Sequence, residues 1–194
     1  GKKYSARGEK RPLPMTRIEI KAHCPDPDRT EAILASLGAG PTGRFSQVDY
    51  CYRLSDGRLI IRKNGPGDGV ILYYVRAMSR EPSRSDSTSV AIGDPEIMIR
   101  IFSSIVGKAV EVEKTRKVWI RDNVTANIDD VFGLGMFVEL AATSEEWCVK
   151  DNIERIRTLM LAMQIPKDTI VAKSYSDLIA LPHPPSSNKA TPSP

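Results

Sequence analysis

Histidine is almost missing from this chain: His23 and His183 are the only two among 194 residues. That scarcity leaves little room for a Ser-His-Asp or Cys-His apparatus. Cysteine is nearly as rare. Cys24, Cys51 and Cys148 are odd in number, far apart and without a C-x-x-C pair. The pattern argues against a disulfide framework or a zinc site and for reduced thiols in a cytoplasmic compartment. The sequon Asn123-Val124-Thr125 then has no glycosylation to serve. Neither a G-x-x-x-x-G-K-[ST] loop nor a G-x-G-x-x-G turn occurs, so any phosphate has to be held by side chains. No apolar run is long enough to span a bilayer, and the first fourteen residues lack the apolar stretch of a secretory signal. No membrane partner is expected.

A surplus of one charge is also absent from most of the chain. The net charge is +4, but residues 1–14 carry five basic groups (Lys2, Lys3, Arg7, Lys10, Arg11) against the single Glu9, so the remainder balances at zero. A neutral body gives no support to a nucleic-acid-binding domain, and a nucleic-acid partner is not expected. Residues 1–14 read as a disordered basic tail, and residues 182–194, rich in proline and serine, as a disordered C-terminal one. The chain opens on Gly1 without a methionine; a processing or cloning scar there, with Met15 as a natural start, is one expectation. Residues 15–181 are left as one domain with a hydrophobic core.

What is present is mostly strand. Thr16–Cys24 alternates cleanly, with Ile18, Ile20 and Ala22 on one face and Arg17, Glu19, Lys21 and His23 on the other. Further strands are predicted over Arg44–Leu54, Arg58–Lys63, Val70–Ala77, Ser83–Ile92, Ala109–Ile120, Val124–Asp129 and Met136–Ala142. Asp26-Pro27 and Asp94-Pro95 carry cap-plus-proline signals for helices reaching about Leu37 and Val106. Ser144 caps a helix to about Met163, and Lys173–Leu181 adds a short one. Most connections are too short for parallel crossovers, so an antiparallel barrel or strongly curved sheet fits best.

Several strands repeat charge two residues apart: Glu19 and Lys21, Arg58 and Arg62, Arg84 and Asp86, Lys114 and Arg116, with Asp129 two beyond Asn127. On a single strand this is an ordinary solvated face. In a closed barrel whose apolar faces carry the helices, however, those charges point inward. An interior of both signs is costly unless a charged ligand sits there. A triphosphate with its metal matches such a lining, because arginine forks suit phosphate oxygens and carboxylates suit Mg²⁺ or Mn²⁺.

At this point the sequence resembles a known family. Ile18-Glu19-Ile20-Lys21 resembles part of an E-x-E-x-K opening. Gln47–Tyr52 followed by Gly57–Arg62 is similar to a "D-x-Y-(F/Y)…G-R-L-x-L-R" segment, and Tyr74-Val75-Arg76 and Ser83–Asp86 sit where a basic residue and an "R-S-D" run are expected. Lys114-Thr115-Arg116 matches a "K-x-R" strand, Ile128–Leu140 is close to "L-D-x-V-x-G-L-G-x-F-x-E", and Lys173–Leu178 resembles "K-S-Y-x-D-L". Together these resemble the CYTH, or triphosphate tunnel, superfamily, and within it the class IV adenylyl cyclase-like, CyaB-type proteins. The departures are Arg17 where a first glutamate is usual, Ile60 for an arginine, Ala141 for a second glutamate and Thr88 for a carboxylate.

The resemblance implies an α+β fold: a closed eight-stranded antiparallel β-barrel flanked by helices. It implies a divalent metal, Mg²⁺ or Mn²⁺, on Glu19, Asp129 and Glu139. Phosphates would fall to Lys21, Arg62, Arg76, Arg84, Lys114, Arg116 and Lys173, and Glu19 and Lys21 would act at the reacting centre. The implied partner is a small triphosphate: tripolyphosphate, ATP or thiamine triphosphate. Hydrolysis is the first reading, since no feature for adenine recognition is visible. Cyclisation of ATP to cyclic AMP and pyrophosphate is the alternative, and a non-catalytic polyphosphate- or nucleotide-binding module with a degenerate metal site is a third.

The tails carry charge but no core pattern. Removing residues 1–14 and 182–194 is expected to leave the melting temperature nearly unchanged, which a thermal melt followed by circular dichroism would check.

Overall fold

The computed structural model describes residues 15–144 and 149–181. The two expected disordered tails, with Trp147, Cys148 and His183, lie outside the described residues. The strands are β1 (Met15–His23), β2 (Gly40–Leu54), β3 (Gly57–Gly65), β4 (Asp68–Arg76), β5 (Ser83–Ile92), β6 (Val110–Arg121), β7 (Val124–Val131) and β8 (Gly135–Ser144). Between and after them come helices α1 (Pro27–Ser36), α2 (Pro95–Val106), α3 (Val149–Ala162) and α4 (Tyr175–Ile179).

The sheet closes on itself in the order β1-β5-β4-β3-β2-β6-β7-β8, with every neighbouring pair antiparallel. Closure depends on β1, which pairs with β5 through its first half and with β8 along nearly all its length. The expected closed eight-stranded α+β barrel is therefore what forms. Two boundaries depart most from the sequence reading: Ser144, expected to cap a helix, is the last residue of β8, with α3 described from Val149, and β2 begins at Gly40 rather than Arg44. Its partner β6 carries the ladder out to Ile120 opposite Gly40, across an irregularity between Pro41 and Gly43 that reads in sequence as a turn.

Local signals act as expected. Asp26 and Asp94 each accept a backbone N–H three residues on, and proline fills the first helical position after each. The turn from β7 to β8 runs through Gly133 and Gly135, with φ of +76° and +91°. Side chains with a Cβ resist that conformation, so the glycines set the tight return that brings the two strands into register.

The outer surface of the barrel buries two apolar patches. Ile18, Ile20 and Ala22 of β1, Ala126 and Ile128 of β7 and Val138, Leu140 and Ala142 of β8 pack with Leu34 of α1 and Ile156 of α3. On the other side, α2 lays Met98, Ile99 and Phe102 over Tyr52, Leu59 and Ile61. The Tyr52 hydroxyl reaches the Ile99 carbonyl at 3.1 Å.

A third patch lies inside. Cys51, Val112, Val131 and Phe137 pack there with Tyr175, Leu178 and Ile179 of α4. Ser174 caps α4 in a reciprocal box with Asp177, and the Tyr175 ring meets Phe137 edge-on at 5.0 Å. Helix α4 thus plugs one end of the barrel, and the polar cavity occupies the rest of the interior.

Ile18 is fully buried between β1's neighbours and the helices. Ile18→Ala is expected to cost about 2–5 kcal/mol through lost burial and the residual cavity. Chemical denaturation would read the loss as a lower midpoint at unchanged slope.

Candidate functional site

Alternation along each strand supplies the lining. Arg17, Glu19 and Lys21 come from β1, Asp49 and Cys51 from β2, and Arg58, Ile60 and Arg62 from β3. Leu72, Tyr74 and Arg76 come from β4, Ser85 and Ser87 from β5, Lys114 and Arg116 from β6, and Glu139 from β8. The cavity they enclose is about 150 Å³.

The carboxylates in and behind that wall fall into two kinds. Three are clasped. Arg62 donates to both oxygens of Asp49, at 2.6 and 2.9 Å, and Lys114 donates to one of them. Arg116 donates to both oxygens of Asp129 at 2.7 Å, while the Tyr175 hydroxyl donates at 2.7 Å to Oδ2, the oxygen that Arg116 Nη2 also holds. Asp177 receives Arg58 and Arg53, which ties α4 to β2 and β3.

The other two are loosely held. Glu19 has one ion-pair contact, Arg76 Nη1 at 3.1 Å. Glu139 has Asn127 Nδ2 at 3.4 Å and the guanidinium groups of Arg116 and Arg17 at 3.7 and 3.9 Å, beyond good hydrogen-bond length.

Electrostatics separate the same two groups. Burial acts to raise the Asp49 pKa, but hydrogen bonds and charge from Arg62, then Lys114, bring it from 3.8 to about 2. Burial, and after it the charge of Glu139, raises the Glu19 pKa against the pull of Arg76, Arg17 and Lys21. Glu139 goes the opposite way. Burial would raise it, but Arg116, Lys21, Arg17 and Arg76 together hold it well below the usual carboxylate range. Burial lowers the Lys21 pKa, while its ammonium sits 3.7 Å over the Tyr175 ring.

Of the expected site residues, Glu19, Lys21, Arg62, Arg76, Lys114, Arg116 and Glu139 are gathered on the cavity wall. Asp129 lies behind that wall, fully buried and clasped by Arg116 and Tyr175. Two of the expected phosphate residues stand elsewhere. Arg84 is exposed and faces outward, beside Ile18 of the outer patch, where it bonds Asp86 at 2.9 Å. On β5 the inward positions are Ser85 and Ser87. Lys173 is exposed ahead of the plug helix, and its neighbours Ala172 and Ser174 line the cavity instead.

Sequence reasoning did not single out Asp49, Arg17, Arg58 or Tyr175 as site residues. Asp49 had a usable signal, since it stands two residues before inward-facing Cys51. Tyr175 had none in strand periodicity, because a helix delivers it.

The donor set bears on a metal. Among the described residues, no group of three or more His, Cys, Asp or Glu side chains is placed to hold an ion. The loose pair Glu19 and Glu139 fits a hard cation that takes one or two carboxylates and completes its shell with water and substrate oxygens, as Mg²⁺ does. Clasped Asp129 does not fit as a direct ligand.

A family model described as "CYTH domain" matches residues 15–175. The chain belongs to the CYTH family. A Methanocaldococcus jannaschii protein named, provisionally, as an adenylate cyclase is 30% identical over 176 residues, spanning 86% of this CYTH chain and all of that protein. The PH1012 protein of Pyrococcus horikoshii has the same fold, with a TM-score of 0.75 at 23% identity over 84% of this chain and 98% of the other. HpAC1 of Hippeastrum, described as an adenylyl cyclase candidate with a dominant triphosphatase activity, superposes with a TM-score of 0.55 at 14% identity, covering 85% and 93% of the two chains. No helix of the described residues is long and apolar enough to cross a membrane.

Asp49 holds buried Lys114 and half-buried Arg62 at once, so its loss leaves both uncompensated. Asp49→Asn is expected to destabilise the CYTH barrel by about 3–5 kcal/mol at neutral pH. Sulfate or tripolyphosphate should raise the variant's melting temperature more than the wild type's. Because the folded pKa is depressed, the stability Asp49 contributes is complete above about pH 4 and is lost as pH falls toward 2. Thermal melts between pH 7 and pH 2 should therefore show a shallower acid limb in the variant.

Proposed function

We propose that this chain binds a triphosphate in the barrel cavity and hydrolyses its terminal phosphoryl group with the help of Mg²⁺ or Mn²⁺. The observation that carries the reading is the charge of the lining. Seven cationic side chains (Arg17, Lys21, Arg58, Arg62, Arg76, Lys114 and Arg116) face four carboxylates (Glu19, Asp49, Glu139 and Asp177). An excess of buried positive charge is costly without an anion, and a polyanion offsets it best. Cavity size supports the phosphate chain as the bound part. At about 150 Å³ the space is below the roughly 300–1,000 Å³ of sites that enclose a drug-sized ligand, so a nucleoside would lie at or beyond the mouth. Membership in the CYTH family and the triphosphatase activity described for HpAC1 support the same reading.

In this reading Lys21, Arg76 and Arg116 hold phosphoryl oxygens, and Arg62 and Lys114 contribute through the positive side of their clasp on Asp49. Glu19 and Glu139 would hold the metal, which supplies Lewis-acid polarisation of a phosphoryl group and a more acidic bound water. Water attack forms a new P–O bond while the terminal bridging P–O bond breaks, and the charge that develops falls on fixed cations. Positioning and charge neutralisation would supply most of the rate.

A second reading, cyclisation of ATP, is favoured by the name of the Methanocaldococcus jannaschii relative. Incubation with tripolyphosphate, ATP and thiamine triphosphate, each with Mg²⁺ or Mn²⁺, separates the two. Orthophosphate release is expected. Cyclic AMP with stoichiometric pyrophosphate would select the cyclase, and tight binding without turnover would select a binding module. Glu139→Gln is expected to lower metal-dependent kcat/KM by about tenfold or more, with circular dichroism near wild type.

A further inference from the structure

Three side chains stand in one row across the barrel wall. Arg17 of β1 is the register partner of Ser85 of β5, and Ser85 is in turn the partner of Arg76 of β4. All three therefore project to the same inner face, and all three line the cavity. With neighbouring strands about 4.8 Å apart, the two arginine backbones stand about 10 Å apart with a small hydroxyl side chain between them. Two guanidinium groups on such a base can close on a group the size of a phosphoryl from both sides.

Among the described residues each arginine approaches a carboxylate through one nitrogen. Arg76 Nη1 contacts Glu19 at 3.1 Å, and Arg17 Nη2 lies 3.9 Å from Glu139. The remaining donors decide the matter. Arg17 Nε, Arg76 Nε and Arg76 Nη2 are shielded from solvent and have no hydrogen-bond partner. A buried polar group left without a partner is costly, and more so when charged. Native proteins rarely keep such groups without a reason. Half of the six unpartnered buried side-chain atoms among the described residues belong to these two arginines, so the requirement for oxygen acceptors is local to this row.

Arg17 has a second property. It shares a strand face with Glu19 and approaches Glu139, so a fixed positive charge already stands beside the two loosely held carboxylates. That charge offsets their repulsion of an incoming anion without help from an ion.

We propose that Arg17, Ser85 and Arg76 form an anion subsite that grips one phosphoryl group, and that Arg17 supplies there enough positive charge for the triphosphate to bind without a divalent metal. The inference rests on the triphosphate reading of the cavity and deepens it: metal is required for turnover, not for binding. Arg17 is a binding and specificity residue here, selecting free polyphosphate as well as its metal complex.

The test is titration calorimetry of tripolyphosphate into wild type and Arg17→Gln, with EDTA and then with saturating Mg²⁺. Wild type is expected to bind in EDTA. Arg17→Gln is expected to bind at least about tenfold more weakly in EDTA, with a smaller deficit in Mg²⁺. Should Arg17→Gln fail to fold, Arg17→Lys keeps the charge but removes the Nε donor and the fork, and a smaller loss in EDTA is expected from it. Metal-free affinity unchanged in either variant overturns the proposal. So does wild-type binding seen only with Mg²⁺, and in both cases the triphosphate reading survives. Absence of tripolyphosphate binding under both conditions overturns the inference and that reading together.

Discussion

Closure of the barrel by β1 is the constraint on which the rest depends. A strand that pairs with both β5 and β8 leaves the sheet no edge, and it seals the inner face of eight strands away from bulk water. A charged side chain on an open sheet solvates itself. Here it finds a counter-charge inside or keeps one unmet. The apolar patches beneath α1, α3 and α2 enforce that orientation: turning β1 over, for example, would bring Ile18 and Ile20 inward and set Glu19 and Lys21 against the helices.

The two kinds of carboxylate follow from this confinement. Asp49, Asp129 and Asp177 are short side chains that hold arginines and a lysine at fixed positions, and Asp177 uses the same chemistry to fasten α4. The longer Glu19 and Glu139 remain loosely held, with their pKa values pushed in opposite directions. Rigidity and availability are thus divided between residue types of equal charge. The aspartates fix the wall, and the glutamates are left with few close contacts.

Much of this was legible in the sequence, for a physical reason. Strands such as Met15–His23 alternate isoleucine with charge, so which side faces the core is unambiguous and Glu19 and Lys21 fall inward. Ser83–Ile92 offers no such contrast. Serine and threonine occupy both of its faces, and a one-residue difference in facing exchanges Arg84 for Ser85. The Asp49 clasp was hidden for another reason. Its partners come from β3 and β6, and only the register between strands shows that both reach one carboxylate. Arg17 was visible as an inward charge but read as a glutamate missing from a metal site. Its unpartnered donors appear only once β5 and β4 stand beside it.

The plug at one end of the barrel also sets where the cavity can open. Tyr175 and its neighbours fill that end with an apolar floor, pinned by Asp129 from within and by Arg58 and Arg53 on the strands. While α4 stays seated, nothing can be drawn through the barrel from one opening to the other. Among the described residues the architecture is that of a well floored by α4 rather than of a channel open at both ends.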